Sequence, residues 1–530
     1  MTDIEDWGGG RGDDGEGEDD VIAVKVTTSK RKAARNAASG DAQPSLASVY
    51  LRTWGCSHNV SDSEYMAGIL AQKGYSVVKD ADAADVWVLN SCTVKTPSED
   101  QAANMVRAAR DKGKHVVMAG CVSQADPNAD WLADVSIVGV KQIDQIEEAV
   151  KGSLEGRSVR ILTRNRPHAP LDLPKLRKNP LVEVLAISTG CLNRCTYCKT
   201  KAARGDLKSI SLEDLVARAR QAFAEGVKEV WLTSEDLGAW GRDIGMVIPD
   251  LLYALVEVIP EGCRLRLGMT NPPYIMDHLE DIAVILKHPR VYRFLHIPVQ
   301  SGSDAVLRHM KREYTVDDFC RAVDYLLERV PDLYIATDFI CAYPTETKKD
   351  FEESMSLVRR YRFPSLFINQ YYPRTGTPAA ALPRVEGKEA KARTAEMSAF
   401  FRNYSRYDES RIGTTERVLI CEEASDGVHL VGHTQSYEHV LVPRAGGMGR
   451  ERTVRITEVG KFHMIGVLVD GEELDSAEAA AVPEISRAVP APALDRKTTV
   501  TREDRSNRTA FVVATLLIAL LALLLKKVLL

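Results

Sequence analysis

Residues 181–198 decide the fold: the apolar run Leu181-Val-Glu-Val-Leu-Ala-Ile-Ser188 leads into Cys191-Leu-Asn-Arg-Cys195-Thr-Tyr-Cys198. Three thiolates on one short loop can hold three irons of a 4Fe–4S cluster and leave the fourth iron without a protein ligand. An open metal position separates a reactive site from a closed structural one, as it does for zinc. A zinc knuckle or a disulfide pair are the rival readings. Zinc wants a fourth ligand nearby, and none follows before Cys263.

The 530 residues allow about three domains, and 45% apolar with 27% charged residues describes globular protein with large cores. The N-terminus, Met1-Thr-Asp-Ile-Glu-Asp, lacks the basic-then-apolar pattern of a secretory signal. The ten cysteines are therefore expected to stay reduced, in metal or catalytic use. The net charge of −5 is unevenly spread: residues 1–20 contribute −8, so the remainder is +3. Lys199, Lys201, Arg204 and Lys208 cluster just after the cysteine run, where they are expected to form a solvated face or to track a phosphate backbone.

Working outward, residues 46–155 alternate β and α, with strands at 47–53, 85–90 and 115–120 and helices at 62–73 and 98–112. Such alternation implies a parallel sheet. Cys56, Cys92 and Cys121 each lie just past the end of one of these strands, so the sheet gathers them on its ligand-binding edge as a second metal site. Three small buried core cysteines are the plainer alternative. Residues 156–180 read as a linker, and 181–411 as a second β/α series of six units, a partial barrel with its chemistry in the loops after the strands. Those loops carry the cysteine run, Ser234-Glu235-Asp236, Asn271-Pro272, Gln300-Ser301-Gly302, Pro344-Thr345-Glu346 and Tyr371-Tyr372. Residues 412–470 read as a small all-β barrel of a kind that often binds nucleic acid, with a basic stretch at Arg444, Arg450, Arg452 and Arg455. The acidic, then basic tail 1–45 is expected to be disordered, and 471–508 to be a flexible tether. The apolar run 510–525, followed by Lys526 and Lys527, makes about 24 Å of helix. That suits a thin bilayer, with the lysines snorkelling. The expectation is a single transmembrane helix within 509–530, with all preceding domains in the cytosol.

The stretches Trp54-Gly-Cys-Ser-His-Asn, Asn90-Ser-Cys-Thr-Val-Lys, Ala119-Gly-Cys-Val, the three-cysteine run and His296-Ile-Pro-Val-Gln-Ser-Gly together resemble the radical S-adenosylmethionine (SAM) methylthiotransferases. The likeness runs from about residue 46 to 470, in the family's order of N-terminal methylthiotransferase domain, radical SAM barrel and TRAM barrel. With Thr233-Ser-Glu-Asp and the terminal anchor, the chain looks like the eukaryotic branch that acts on threonylcarbamoyladenosine in tRNA. The resemblance implies addition of a methylthio group at C2 of N6-threonylcarbamoyladenosine beside the anticodon. It implies two 4Fe–4S clusters, one on Cys191, Cys195 and Cys198 and one on Cys56, Cys92 and Cys121. SAM serves as methyl donor and as source of a 5′-deoxyadenosyl radical. Ser234, Glu235 and Gln300 are the expected SAM contacts. Trp240 and Tyr371 are candidates for stacking on the base, and Arg444 and Arg452 for other RNA contacts. An electron donor is a further expected partner, and the endoplasmic reticulum membrane the expected location.

The chain departs from the family where Gly-Phe-Pro-Gly-Glu-Thr is usual and it has Ala342-Tyr-Pro-Thr-Glu-Thr. Ala202 also stands where His is common, and Leu237 and Trp240 where Thr and Tyr are. Two other readings stay open at this point: a ribosomal protein as the methylthiolated target, or a membrane-tethered iron–sulfur RNA-binding protein without turnover.

Overall fold

The computed structural model describes residues 46–93, 96–163 and 166–469. The expected N-terminal tail, tether and membrane helix lie outside the described residues, within which no helix is long and apolar enough to cross a membrane. Six strands, β1 (Ser48–Thr53), β2 (Ser76–Val78), β3 (Val86–Ser91), β4 (His115–Gly120), β5 (Ser136–Val138) and β6 (Arg160–Ile161), form a parallel sheet in the order β2-β1-β3-β4-β5-β6. β6 lies in residues expected as linker. Helices α1 (Ser57–Gln72), α2 (Thr96–Asp111), α3 (Cys121–Ala125) and α4 (Ile146–Leu154) connect them. Val49, Leu51, Val86 and Val88 pack with α1 and α4 on one face, while Tyr50, Trp87, Leu89 and Met118 pack with α2 on the other. Burial on both faces is why these strands read as nearly continuous apolar runs.

α1 begins at Ser57 rather than at Asp62. Its first turn is polar yet buried, because it docks on the second domain: Ser57 Oγ lies 2.9 Å from Thr233 Oγ1, and Ser61 Oγ donates to the Val184 carbonyl at 3.0 Å. A turn that buries hydroxyls shows no apolar periodicity to read.

The second domain runs through β7 (Val182–Ala186), β8 (Ser188–Thr189), α5 (Thr200–Arg204), β9 (Lys208–Ser209), α6 (Leu212–Ala224), β10 (Glu229–Thr233), α7 (Ile248–Val256) and β11 (Arg264–Arg266). It continues with α8 (Leu279–Lys287), β12 (Phe294–His296), α9 (Asp304–His309), α10 (Val316–Arg329), β13 (Tyr334–Cys341), α11 (Lys348–Tyr361), β14 (Ser365–Gln370) and α12 (Gly387–Arg402). β7, β10 and β11 pair in parallel, as do β12, β13 and β14, and the bridges Leu265–Val291 and Met269–His296 join the halves. The six parallel strands make the expected partial barrel. Ser211 caps α6 by accepting from the Asp214 amide at 3.1 Å.

The segment 166–180 threads between the two domains and carries a buried ionic clamp. Glu183 of β7 accepts from Lys175 Nζ at 3.0 Å, from Arg177 Nε at 2.5 Å and from Arg218 of α6 at 3.0 and 3.1 Å. Lys175 also stands 3.2 Å from Glu64 of α1 and 4.8 Å above the Tyr65 ring. Burial alone pushes the Glu183 carboxyl up, but the three cations hold it well below the usual carboxylate range.

β15 (Thr415–Glu423), β16 (His429–His433), β17 (His439–Pro443), β18 (Glu451–Val459) and β19 (Met464–Leu468) close into a five-stranded barrel, β15-β16-β17-β19-β18. It packs Leu419, Cys421 and Tyr437 against Val182, Trp231, Tyr292 and Phe294, at the end of the partial barrel where the strands begin. Glu229 there accepts from Trp231 Nε1, Tyr292 Oη and His433 Nδ1, so the joint is polar as well as aromatic.

Candidate metal centres

The N-terminal cysteines arrive from three neighbouring strands. Cys56 follows β1 and caps α1, Cys92 follows β3, and Cys121 follows β4 as the first residue of α3. Glycines let the backbone come this close. A Cβ on Gly55, at φ +105°, would stand 2.5 Å from Cys92 Cβ, and one on Gly120, at φ +86°, 2.1 Å from Asn90 Oδ1. Cys121 Sγ faces Asn59 Oδ1 at 3.7 Å. Burial pushes the Cys121 thiol up to about 12, with nearby Cys92 adding to the rise and Arg204 opposing it.

Arg204, the last residue of α5, reaches into this trio from the other domain. Its Nη2 donates to Asn59 Oδ1 and to Asp62 Oδ2, each at 2.8 Å, and its Nε lies 3.1 Å from Glu235 Oε1. His58 Nδ1 stands 3.1 Å from the same Glu235 oxygen. The neighbouring Ala203 packs on Cys121 and Val140.

The second trio sits on a loop pinned from several sides. The Thr196 amide donates to Met310 O at 3.0 Å, its hydroxyl bonds His309 O at 2.9 Å and lies 2.8 Å from Tyr343 Oη, and its carbonyl accepts from the Ala379 amide. Tyr197, Tyr343 and Tyr371 form an edge-to-face pad against Cys195 and Cys198. Arg312 Nη1 lies 3.3 Å from Cys195 Sγ, and its other nitrogens bond Tyr314 Oη and Asn271 Oδ1. Asn271 in turn donates its Nδ2 to Asp236 Oδ2 at 2.6 Å. Burial pushes the Asp236 carboxyl up to about 6 against the pull of Asn271 and Arg312, and raises the thiols of Cys191 and Cys195. Binding of a metal or cluster here must release thiol protons.

None of the six cysteines is in a disulfide. Among the described residues no three His, Cys, Asp or Glu side chains converge as ligands of one metal ion. An iron–sulfur cube asks for something else, one thiolate per iron with the sulfurs apart, and each trio offers that donor set beside a buried guanidinium. The residues present fit the group.

Three expectations need correction. Trp240 is fully buried in the barrel core with Nε1 donating to Ile210 O, so no base can stack on it. Tyr371 is 8% exposed and spent on the pad beneath the loop; its neighbour Tyr372 is the exposed ring, at 50%. The basic cluster after the loop does not form one continuous track: Arg204 is buried among carboxylates, and Lys201 pairs with Asp206 and caps the carbonyls of Cys191 and Leu192, while Lys208 is exposed. Glu235 is engaged at the N-terminal trio, whereas Ser234 accepts from the Asp236 amide at 2.9 Å. Gln300 is buried at φ +70°, pairing with Asp338 O and the Ile340 amide at the barrel mouth. Arg444 pairs with Glu423 and Arg452 bonds Gly446 O, both on the terminal barrel at the strand-start end, away from the cysteines. Ala342 keeps φ +60°, so the left-handed turn survives loss of the family's glycine. Sequence reasoning missed Arg312, Asn59, Asp62 and the role of Arg204. Ser57, His58 and Asn59, directly after Cys56, were the one signal that α1 starts with functional polar groups.

Comparison with known families adds two matches: the Radical SAM superfamily over residues 185–358 and Uncharacterized protein family UPF0004 over residues 48–137. The chain is 56% identical over 436 residues to the threonylcarbamoyladenosine tRNA methylthiotransferase of Drosophila pseudoobscura pseudoobscura, covering 81% of this chain and 78% of that one. It is 66% identical over 350 residues to the protein of the same name from Caenorhabditis elegans, covering 66% of this chain and 82% of the relative. A probable threonylcarbamoyladenosine tRNA methylthiotransferase of Pyrococcus horikoshii is 34% identical over 428 residues, 80% of this chain and 100% of the relative.

Proposed function

The chain belongs to the threonylcarbamoyladenosine tRNA methylthiotransferases, and from that premise we propose that it adds a methylthio group to C2 of N6-threonylcarbamoyladenosine beside the anticodon. Two 4Fe–4S clusters and SAM are its cofactors. We assign one cluster to Cys191, Cys195 and Cys198 and the other to Cys56, Cys92 and Cys121. When bound, the first supplies the electron that cleaves SAM, and the second carries the sulfur to be inserted.

The protein's part is to hold, orient and keep dry. Adenine C2–H offers neither an acidic proton nor a leaving group, so acid–base chemistry has no grip on it and a radical route is required. Such a route needs the reacting atoms in contact and away from water. The pinned Thr196 loop and the tyrosine pad fix the first trio in position, while Arg312, Asn271 and Asp236 set a polar wall beside it. Ser234 and Gln300 line the same mouth and are assigned to SAM. Exposed Tyr372, at the end of β14, takes over the base-stacking role from Trp240 and Tyr371. Arg444 and Arg452 are assigned to the tRNA backbone. An external one-electron donor completes the cycle.

Residues 510–525 are assigned as a tail anchor in the endoplasmic reticulum membrane, with the catalytic domains cytosolic. The unbroken apolar run supports this reading. Deleting 510–530 is expected to move the protein to the soluble fraction with activity intact; a protein that stays in the membrane pellet refutes the anchor.

The observation that carries the function is high identity to relatives of one name together with two cysteine trios gathered at strand ends. Nucleoside mass spectrometry of RNA from cells lacking the protein tests it. Loss of 2-methylthio-threonylcarbamoyladenosine is expected; an unchanged level, or turnover by purified enzyme on a ribosomal protein alone, refutes it.

A further inference from the structure

We propose that Arg204 is a positioning residue for the second cluster, supplied in trans by the radical SAM domain to balance the charge of the N-terminal trio. The inference rests on the assignment of a cluster to Cys56, Cys92 and Cys121.

Four observations carry it. Arg204 is 2% exposed, so its charge is fully desolvated and must be answered locally. Its partners all belong to the N-terminal trio or its rim: Asn59 and Asp62 of α1, and Glu235, which is shared with His58. Asn59 is also the side chain that Cys121 Sγ faces, so one amide joins the guanidinium to a cluster thiol. Finally, α5 rests on the trio through Ala203, which touches Cys121, so the helix is docked there and not merely nearby.

The charge around the trio explains why a cation is needed. Three thiolates on a cluster with the buried carboxylates Asp62 and Glu235 beside them would concentrate negative charge in a low-dielectric site. Like charges there resist both thiolate formation and reduction of the cluster. Arg204 is the guanidinium that meets both carboxylates, and it lies within electrostatic reach of Cys56 and Cys121. Hydrogen bonds and charge near the sulfurs are what set a cluster's potential. A nearby cation favours the reduced, more negative state, so Arg204 raises the second cluster's potential.

The test uses the full-length protein, reconstituted without oxygen and titrated under electron paramagnetic resonance. SAM is added as a probe, because the signal that changes with SAM belongs to the first cluster. Arg204→Gln is expected to move the SAM-insensitive cluster to a lower midpoint potential, and Arg204→Lys to restore most of it. Asp62→Asn, which removes an anion from the same network, is expected to move it the other way. If Arg204→Gln loads no second cluster while Arg204→Lys does, charge compensation is again supported. Potentials that match the wild type in both Arg204→Gln and Asp62→Asn overturn the inference. So does equal failure of the Gln and Lys variants to load, which would make shape rather than charge the requirement. A wild-type protein that loads only the SAM-sensitive cluster removes the underlying assignment instead, a result that iron analysis of the wild type separates from the others.

Discussion

The ionic clamp at Glu183 gives the sharpest stability prediction. Glu183 is fully buried and receives hydrogen bonds from Lys175, Arg177 and Arg218, all of them nearly inaccessible to water. Glu64 and Glu225 answer part of the same positive charge. Glu183→Gln keeps the shape and removes the anion, leaving three buried cations against two carboxylates. Breaking a buried pair from one side costs about 3–5 kcal/mol, because the surviving charges stay desolvated. Urea unfolding of the apo-protein, followed by tryptophan fluorescence, should show a loss of that order. The exposed pair Lys112–Asp82 is the control, and Asp82→Asn should leave the midpoint where it was. Adding Lys175→Met to Glu183→Gln should recover part of the loss, with a coupling of about 0.5–3 kcal/mol. The clamp ties α1 to β7, the strand that leads into the second cysteine loop. Loosening it should therefore depress methylthiolation more than SAM cleavage. A Glu183→Gln loss below about 1 kcal/mol would refute the reasoning, since it would mean that the cations find water or new partners.

Further expectations concern the two centres and the turns around them. Cys195→Ala should abolish SAM cleavage to 5′-deoxyadenosine, whereas Cys92→Ala should spare cleavage and stop sulfur insertion; loss of cleavage in both would mean that the centres are not independent. Ala342→Gly should stabilise the apo-protein by up to about 1.6 kcal/mol, because a left-handed alanine costs ~1–2 kcal/mol and the freer unfolded chain of glycine takes back ~0.4–1 kcal/mol of that. A lowered melting temperature would contradict this. Burial, aided by the charge of His433, holds His439 down to about 3. Below about pH 6.5 the unfolded chain therefore takes up a proton that the folded barrel refuses, and stability falls by at most ~1.4 kcal/mol per pH unit as pH drops. His439→Gln should flatten the slope between pH 6.5 and 5, and an unchanged slope would exclude that residue as the source.

Where local pattern and tertiary role agree, the sequence was readable. The strands ending before Cys56, Cys92 and Cys121 are apolar because both faces of the sheet are covered, so their positions, and with them the gathering of the thiols, followed from the β/α alternation and the parallel sheet it implies. Ser211, whose side chain caps α6, is a local signal of the same kind. What could not be read were side chains whose partners are distant in the chain. Arg204 looked like one more base in a polar run, and only the docking of α5 on α3 turns it inward. The first turn of α1 was hidden because it buries hydroxyls against Thr233 and Val184. Trp240 had the right position for a rim aromatic but points into the core, a choice of face that loop sequence does not encode. Arg312 lies far along the chain from Cys195, and no spacing rule links them.

The short stretch from Cys198 to Arg204 acts as a ruler between the two centres, because one end is tied to a cluster loop and the other to its counterpart. Surface loops tolerate extra residues at small entropic cost. Here a single insertion would swing the guanidinium about 100° around the axis of α5, away from Asp62. Drift in length should therefore be tolerated in the surface loops of this chain before it is tolerated in these few residues.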